Sequence, residues 1–320
     1  VGIEIKKEMI SGELDTKHKR VLPVLAAFAG VFTPAIVYYF AAGYMPEFRH
    51  GWGIPTATDI AFAIGVITML GNMVSSAMKA FLAALAVIDD LIAIVVIALF
   101  YGAGVNFMDL IAAAGVTGLL VYTNKQGYLR PLPYCVLGLV LWYLVLKSGV
   151  HATIAGVVLA MTIPFKGEVL DKVVYPMEEW AHALKNWVNF FIIPLFSFLN
   201  AGVSFADFSM ENLFHPVIIG VSLGLILGKQ LGIFSAVYIL VQSKAIKMPT
   251  NTTWPEIYGT AILCGIGFTM SLFVATLAFP PGITQEMAKV GIFIGSIVAG
   301  LLGSVVLILA YQIRKMRGKI

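Results

Sequence analysis

The strongest constraint in this sequence is a series of ten long apolar stretches that contain few charged residues. They cover approximately residues 21–44, 57–71, 79–101, 107–122, 132–147, 150–165, 184–203, 215–243, 257–279 and 288–313. A helix needs about 20 mostly apolar residues to cross a bilayer core of roughly 30 Å. Only helices and closed barrels satisfy their backbone hydrogen bonds in lipid, and the alternating pattern of barrel strands is absent from the sequence. The sequence therefore predicts an all-α polytopic membrane protein with about ten transmembrane helices, in one domain over residues 1–320.

The composition excludes several classes of protein. Hydrophobic residues make up 59% of the chain and charged residues 12%, whereas soluble domains average roughly 45–50% and about 25%. The net charge of +4 is too small for a nucleic-acid-binding protein, and the two cysteines, Cys135 and Cys264, lie in apolar stretches that offer no disulfide framework. The sequence also lacks a phosphate-binding loop, a metal-ligand spacing and a Ser-His-Asp set. We therefore expect the lipid bilayer as a partner, and neither an enzyme, a nucleic-acid partner nor an organic cofactor.

The lysines and arginines predict the orientation of the chain in the membrane. When the apolar stretches alternate in direction, 17 of the 21 basic residues fall in one set of loops and three in the opposite set, with Lys229 inside a stretch. Cytoplasmic loops of membrane proteins carry the excess of basic residues. Both ends of this chain are therefore expected in the cytoplasm.

Four charged residues lie within the apolar stretches, namely Asp59, Asp89, Asp90 and Lys229. Each costs about 2.5–3.5 kcal/mol near the centre of a transmembrane helix, which indicates that they line a wet cavity or pair with one another. Asp89 and Asp90 have about ten apolar residues on either side, so a position at the membrane surface does not explain them. For Asp59 a simpler alternative is that Thr58 and Asp59 cap a helix.

The adjacent acids Asp89 and Asp90 indicate a site that holds either protons or a cation. Two neighbouring carboxylates in a low dielectric do not both ionise easily, and they titrate as a pair. Their oxygens are hard ligands that suit Na⁺, Li⁺, Mg²⁺ or H⁺. Competition between protons and an alkali ion for such a site would couple their movements. Lys229 is the expected partner of one carboxylate, and the alternative is that its side chain extends to the membrane surface.

Two segments predict interrupted helices. Residues 51–59 contain two glycines and Pro55 before a short apolar stretch, and residues 264–271 place glycines and hydroxyl side chains inside another stretch. Close packing of helices through small residues is the alternative explanation. If both helices are broken, their positive N-termini need a carboxylate and their negative C-termini need a cation. Asp59 and Lys229 are available for these two roles.

Six strings of this sequence together resemble the NhaA-type sodium/proton antiporters. They are Thr56–Ala63, Ala86–Leu91, Lys147–Thr153, Asn200–Ser204, Gly228–Gly232 and Cys264–Ser271. The resemblance extends over residues 1 to about 313. It implies inverted repeats with two discontinuous helices that cross at the membrane centre, a design of which this family is itself a known example. The core repeats would cover about 21–101 and 215–313, with linking and interface helices at about 107–203.

The resemblance also implies a function and a set of roles. The function is the electrogenic exchange of cytoplasmic Na⁺ or Li⁺ for external H⁺ by alternating access, regulated by pH, in the bacterial inner membrane. Asp89 and Asp90 would carry the ion and the protons, with Thr58 as a neutral oxygen near the ion. Asp59 and Lys229 would offset the ends of the broken helices, and Lys229 would pair with Asp89 in the ion-free state.

Further expectations concern pH response and assembly. His151 and the cytoplasmic cluster Glu4, Lys7, Glu8 and His182 match positions linked to pH response, although His151 is equally explained as a hydrogen-bonded residue at a helix end. Relative to the family pattern, a first helix and most of a second would precede Val1, together with a hairpin linked to dimer formation. A homodimer is therefore only a possible partner arrangement.

Two other functions are compatible with parts of the pattern. An intramembrane aspartyl protease also uses two buried carboxylates, but they must face each other and share a proton, and Lys229 would have no role. A sodium-coupled solute symporter would need a pocket for an organic substrate. The sequence offers no set of aromatic or arginine residues that indicates such a pocket.

Overall fold

The computed structural model describes residues 1–11, 17–102, 104–169, 172–203, 210–249 and 252–316. Ser204, the last residue of one of the six strings, lies outside the described residues. Most of the described chain is helical, which confirms the predicted all-α class. The helices are α1 (Gly2–Ser11), α2 (Lys17–Tyr38), α3 (Ile60–Met69), α4 (Ser76–Phe100), α5 (Phe107–Lys125), α6 (Pro131–Lys147), α7 (Thr153–Thr162), α8 (Pro176–Trp187), α9 (Ile193–Asn200), α10 (Pro216–Leu223), α11 (Lys229–Gln242), α12 (Trp254–Leu263), α13 (Phe268–Ala278) and α14 (Ile283–Met316).

Short segments of other helical types extend or precede several of these helices. Segments of π-helix continue α2, join α8 to α9 and join α10 to α11; they cover Tyr39–Gly43, Val188–Ile192 and Gly224–Gly228. Segments of 3-10 helix cover Arg49–Thr56, Gly71–Met73 and Met210–Phe214. The segment Arg49–Thr56 contains Pro55, which lacks the N–H that a regular α-helix would use.

Six helical spans in the described part of the chain are long and apolar enough to cross a membrane, or seven when α12 and α13 count as one bent span. The other predicted spans are also helical, but shorter or more polar. At 1.5 Å per residue, the 10 residues of α7 extend only about 15 Å. The helical run through α8 and α9 begins with Glu178 and Glu179 in its first turn. Length and polarity therefore explain why fewer than ten helices qualify as complete spans.

A small β-hairpin lies in the linker before α8 and was not predicted by the sequence analysis. Strands β1 (Gly167–Val169) and β2 (Lys172–Val174) pair antiparallel, with Glu168 opposite Val173. Three-residue strands are too short to produce a detectable alternating pattern.

The chain divides into two compact units. One comprises Val1–Gly12 and Ile94–Pro194, and the other comprises Glu13–Ala93 and Leu195–Ile320. In the first unit α5, α6 and α7 pack against one another, and α1 packs on α7. The ammonium of Lys6 donates hydrogen bonds to the carbonyls of Met161 (2.7 Å) and Ile163 at the C-terminal end of α7.

The second unit contains most of both predicted repeats. The same order of elements occurs twice: a long helix, an interrupted helix and a second long helix. The first set is α2, then Arg49–Thr56 with α3, then α4. The second set is α10–α11, then α12 with α13, then α14. Helix α2 packs on α11, and α14 packs on α10 and α12. The approach of α2 and α11 is close, since Gly232 of α11 leaves no room for a Cβ atom against the carbonyl oxygen of Ala29. The buried core of this unit includes Leu82, Leu85 and Leu263.

Candidate functional site

The first interruption lies between the 3-10 segment Arg49–Thr56 and α3. Ala57 is extended (φ −83°, ψ 145°), and Asp59 is the N-cap of α3. The Asp59 Oδ1 atom accepts a hydrogen bond from the N–H of Phe62 at 3.1 Å. The capping role that the sequence offered as a simple alternative for Asp59 is therefore present in the structure.

The second interruption separates α12 from α13, whose axes differ by 44°. It comprises Cys264 to Gly267, and glycine is needed there because the backbone of another helix approaches closely. A Cβ atom on Gly265 would lie 2.4 Å from the carbonyl oxygen of Leu225. Both predicted helix interruptions are thus found, and close packing accompanies the second break rather than replacing it.

The two interruptions are joined by direct hydrogen bonds. The Thr58 hydroxyl donates to the carbonyl of Cys264 at 2.8 Å. The N–H of Asp59 donates to the carbonyl of Ile266 at 2.6 Å. Both Thr58 and Asp59 are buried. These bonds satisfy backbone carbonyls that the end of α12 leaves without a partner inside the helix.

Asp59 is placed at the N-termini of two helices at once. Its Oδ1 atom caps α3, and its Oδ2 atom accepts from the N–H of Thr269 at 2.9 Å and from the Thr269 hydroxyl at 2.5 Å. Thr269 lies in the first turn of α13. Because helix N-termini carry partial positive charge, a buried carboxylate between two of them is stabilised.

Lys229 and Asp89 form a buried ion pair. The Lys229 Nζ atom lies 2.9 Å from Asp89 Oδ1 and 2.8 Å from Asp89 Oδ2, and the two side chains are 0% and 1% exposed. The alternative in which Lys229 extends to the membrane surface is therefore wrong. The pair lies near the C-terminal end of α12, because a Cβ atom on Gly265 would meet the carbonyl oxygen of Leu225, which is four residues before Lys229. This location fits a cation beside a negative helix end.

Asp90 follows Asp89 in the middle of α4 and is 2% exposed. Successive residues of an α-helix point about 100° apart, so the two carboxylates leave the helix in different directions. Asp89 is the one that contacts Lys229. In the described part of the chain, no group of three or more His, Cys, Asp or Glu side chains could hold a metal ion. An alkali ion at Asp89 and Asp90 would therefore need neutral oxygens or water as additional ligands.

The predicted pH-response residues fall in two places of the first unit. Glu4, Lys7 and Glu8 lie on α1, and Lys7 Nζ is 3.3 Å from Glu178 Oε1 on α8, the helix that also carries the exposed His182. The residues predicted as a cytoplasmic cluster thus lie on two helices that are in contact.

His151 lies just before α7, and its Nδ1 atom is 3.0 Å from the Thr153 hydroxyl. Lys6 of α1 contacts the C-terminal end of α7, whereas His151 precedes its N-terminal end. The contact with Thr153 fits the simpler helix-end interpretation of His151.

Sequence reasoning missed three polar side chains that support this site. Thr269 binds Asp59, and the Ser296 hydroxyl on α14 accepts from the N–H groups of Gly267 (3.2 Å) and Phe268 (3.1 Å) at the start of α13. Glu256 is a fourth buried acid, 2% exposed, near the start of α12. Thr269 stood in a recognised string, whereas Ser296 and Glu256 have no local sequence signal.

Comparisons with known proteins agree with the resemblance noted in the sequence. The family described as "Na+/H+ antiporter 1" matches residues 1–307 of the chain. A protein of Caulobacter vibrioides named Na(+)/H(+) antiporter NhaA is 47% identical over 309 residues, which cover 96% of this chain and 75% of the relative. Proteins of the same name from Mesorhizobium japonicum and Pseudomonas putida are 48% and 45% identical over 316 and 312 residues, in each case 97% of this chain and 79% of the relative.

These relatives are named as antiporters, which are transporters and not enzymes, and the matched family accounts for almost the whole chain. The chain, with its buried acid–amine pair and two joined helix interruptions, therefore belongs to the Na⁺/H⁺ antiporter 1 family.

Proposed function

We propose that this protein exchanges Na⁺ or Li⁺ for H⁺ across the bacterial inner membrane. The observation that carries the proposal is the fully buried ion pair between Lys229 and Asp89, with Asp90 adjacent, beside the junction of two interrupted helices. Family membership supports the same function. The chemistry needs no organic cofactor, because carboxylates alone can exchange protons for an alkali ion.

The ion pair supplies a route to coupling. In the ion-free state the ammonium of Lys229 neutralises Asp89, which limits the cost of burying either charge. An incoming Na⁺ competes for the carboxylates of Asp89 and Asp90 with Lys229 and with protons. One proton leaves Asp90, and a second leaves the ammonium of Lys229 once Na⁺ has displaced it from Asp89. Release of two protons for one bound Na⁺ moves one net charge per cycle, so the exchange is electrogenic.

Thr58 is suited to contribute a neutral oxygen. A hydroxyl has one proton to donate and two lone pairs to offer. The Thr58 proton is directed to the carbonyl of Cys264, so the lone pairs of this buried oxygen remain to interact with a cation. Asp59 serves a different purpose in this proposal: it stabilises the N-termini of α3 and α13 and so maintains the junction.

The division of the chain follows from the same proposal. The two core repeats cover about residues 21–101 and 215–313. Each contains a long helix, an interrupted helix and a second long helix. Residues of about 107–203 supply linking and interface helices. The excess of basic residues in one set of loops supports a cytoplasmic position for both chain ends. Glu4, Lys7 and Glu8 on α1 and His182 on α8 would then adjust activity to cytoplasmic pH.

Neither the aspartyl protease nor the sodium-coupled symporter is supported by the observations above. An aspartyl protease needs two carboxylates that share a proton, but Asp89 binds Lys229 and Asp59 binds the amides of two helix N-termini. The symporter is not supported by the comparisons, since the relatives are named as Na⁺/H⁺ antiporters.

The proposal is tested by reconstituting the full chain in proteoliposomes with a pH-sensitive dye. Addition of Na⁺ or Li⁺ between pH 6 and 9 should move protons, and K⁺ should not. Asp89→Asn and Asp90→Asn should abolish the signal. Asp109→Asn, which changes a partly exposed acid on α5, is the matched control and should retain it. Full exchange by Asp90→Asn, or no exchange by the unmodified chain, would contradict the proposal.

A further inference from the structure

Glu256 is a buried acid outside the residues assigned above. It is the third residue of α12 and is 2% exposed. An acid in the first turn of a helix is favoured by the helix dipole, and it commonly reaches back to the N-cap of its own helix. The carboxylate of Glu256 instead bonds to two other elements of the chain.

The contacts of Glu256 connect the ends of three helices. Its Oε1 atom accepts from the N–H of Ser75 at 2.7 Å, and its Oε2 atom lies 3.3 Å from Arg314 Nη1. Ser75 directly precedes α4, and its hydroxyl accepts from the N–H of Met78, so Ser75 caps that helix. Arg314 lies in the last turn of α14. One carboxylate therefore joins the starts of α4 and α12 to the end of α14.

These helices are the ones that build the candidate ion site. Helix α4 carries Asp89, which lies about 21 Å beyond Ser75 at 1.5 Å per residue. Helix α12 leads directly into the interruption whose carbonyls bond to Thr58 and Asp59. The position of α4 along its axis relative to α12 consequently determines the distance of the Asp89 and Asp90 carboxylates from the two helix interruptions.

Apolar packing alone does not define that position sharply. Met78 and Leu82 of α4 share a core with Ile257 and Ala261 of α12, and such contacts are non-directional. A hydrogen bond of 2.7 Å to a backbone N–H is directional and breaks when one helix slides by a single residue. The Arg314 charge helps to offset the cost of burying the carboxylate that makes the bond.

We propose that Glu256 is a positioning residue for ion exchange: by accepting the N–H of Ser75 it sets the axial register between α4 and α12, and thereby the affinity of the Asp89–Asp90 site for Na⁺. This inference rests on the proposed function. It assigns to Glu256 an effect on ion affinity and not a direct contact with the ion.

The deciding experiment compares two conservative variants in the proteoliposome assay, with the amount of folded protein measured in each preparation. Glu256→Gln keeps an acceptor oxygen at the same reach, and Arg314, which is 19% exposed, can then be solvated. Glu256→Asp keeps the charge but is one methylene too short to reach Ser75. We expect Glu256→Asp to raise the KM for Na⁺ about tenfold, as misplacement of a site by an ångström can do, and Glu256→Gln to stay near the unmodified KM. Glu286→Asp, an acid in the first turn of α14, is the matched control and should have no effect.

The outcomes separate this inference from the function on which it rests. If the unmodified chain moves no protons on addition of Na⁺, the proposed function fails and this inference fails with it. If the unmodified chain is active, the inference alone is overturned when Glu256→Asp keeps the original KM or lowers only the amount of folded protein. It is also overturned when Glu256→Gln raises the KM as much as Glu256→Asp, or fails to fold.

Discussion

The carboxylate of Asp59 accepts the backbone N–H of Thr269 at 2.9 Å, although the two residues are 210 positions apart. The same carboxylate caps its own helix through the N–H of Phe62. Because one side chain serves two helix N-termini, the folding of each interrupted helix depends on the other. The junction is therefore a single cooperative unit on which the ion site is built.

Replacement of Asp59 should destabilise the protein in a graded manner. Asp59→Ala removes two helix caps at about 1 kcal/mol each, so the free energy of unfolding should fall by about 2 kcal/mol or more. Asp59→Asn keeps an acceptor oxygen and should lose less. Thermal unfolding in detergent measures the order, with Glu47→Ala, which changes an exposed acid in a turn, as a control that should change stability by about 0.5 kcal/mol at most. Equal stability of Asp59→Ala and the unmodified chain would contradict the two-cap account.

The ion pair of Lys229 and Asp89 should show strong energetic coupling. Lys229→Met leaves Asp89 buried without its ammonium partner and should lower the free energy of unfolding by about 3–5 kcal/mol at pH 7. The double variant Lys229→Met/Asp89→Asn should be more stable than Lys229→Met, since it removes the uncompensated charge. A double-mutant cycle by chemical denaturation without Na⁺ measures this coupling. Additive losses would show that the pair is not energetically important.

The two glycines Gly265 and Gly300 should respond differently to an added methyl group. Gly265→Ala would place Cβ 2.4 Å from the carbonyl oxygen of Leu225 and should cost about 1–3 kcal/mol through overpacking. Gly300 lies in α14, and its Cβ would meet Ile266 Cδ1 at an ordinary 3.6 Å. Gly300→Ala should therefore be neutral or slightly stabilising, because alanine favours helix by about 1 kcal/mol over glycine. The melting temperatures of the two variants test this contrast, and equal tolerance at both positions would contradict it.

Lys6 should contribute a pH-dependent term to stability. Burial lowers the pKa of its ammonium below the ordinary value of 10.5. Between the lowered pKa and 10.5 the unfolded chain binds more protons than the folded one, so stability due to this group rises with pH in that window. The neutral amine still has N–H groups for the carbonyls of Met161 and Ile163. The melting temperature of the unmodified chain relative to Lys6→Met should therefore increase from pH 8 towards pH 10; a decrease would contradict this assignment.

Local chemistry in the sequence was sufficient to predict where the helices break and that Asp59, Asp89, Asp90 and Lys229 are buried. Pro55 and the glycines of residues 264–271 break helices for reasons of backbone geometry, and both interruptions are found where they were expected. Lys229 was expected to have a carboxylate partner because a lone buried ammonium is too costly, and Asp89 is that partner. These predictions depend on the free energy of single residues in lipid and not on the arrangement of helices.

Contacts between distant segments were beyond the sequence. The bonds from Thr58 to Cys264 and from Ser75 to Glu256 join residues 206 and 181 positions apart, and no spacing rule relates them. Glu256 was missed because it stands near the start of an apolar stretch, where an acid resembles an ordinary helix-end charge. Apolar composition also does not reveal that α7 has only 10 residues.

The most direct test of the central claim is calorimetry of Na⁺ binding to the purified full chain in two buffers with different ionisation enthalpies. If Asp89 and Asp90 exchange protons for Na⁺, the measured heats should differ by the equivalent of about one to two protons released per Na⁺, with tighter binding at higher pH. Asp90→Asn should reduce the number of protons. Identical heats in both buffers, together with a Kd that does not change between pH 7 and 9, would contradict the account.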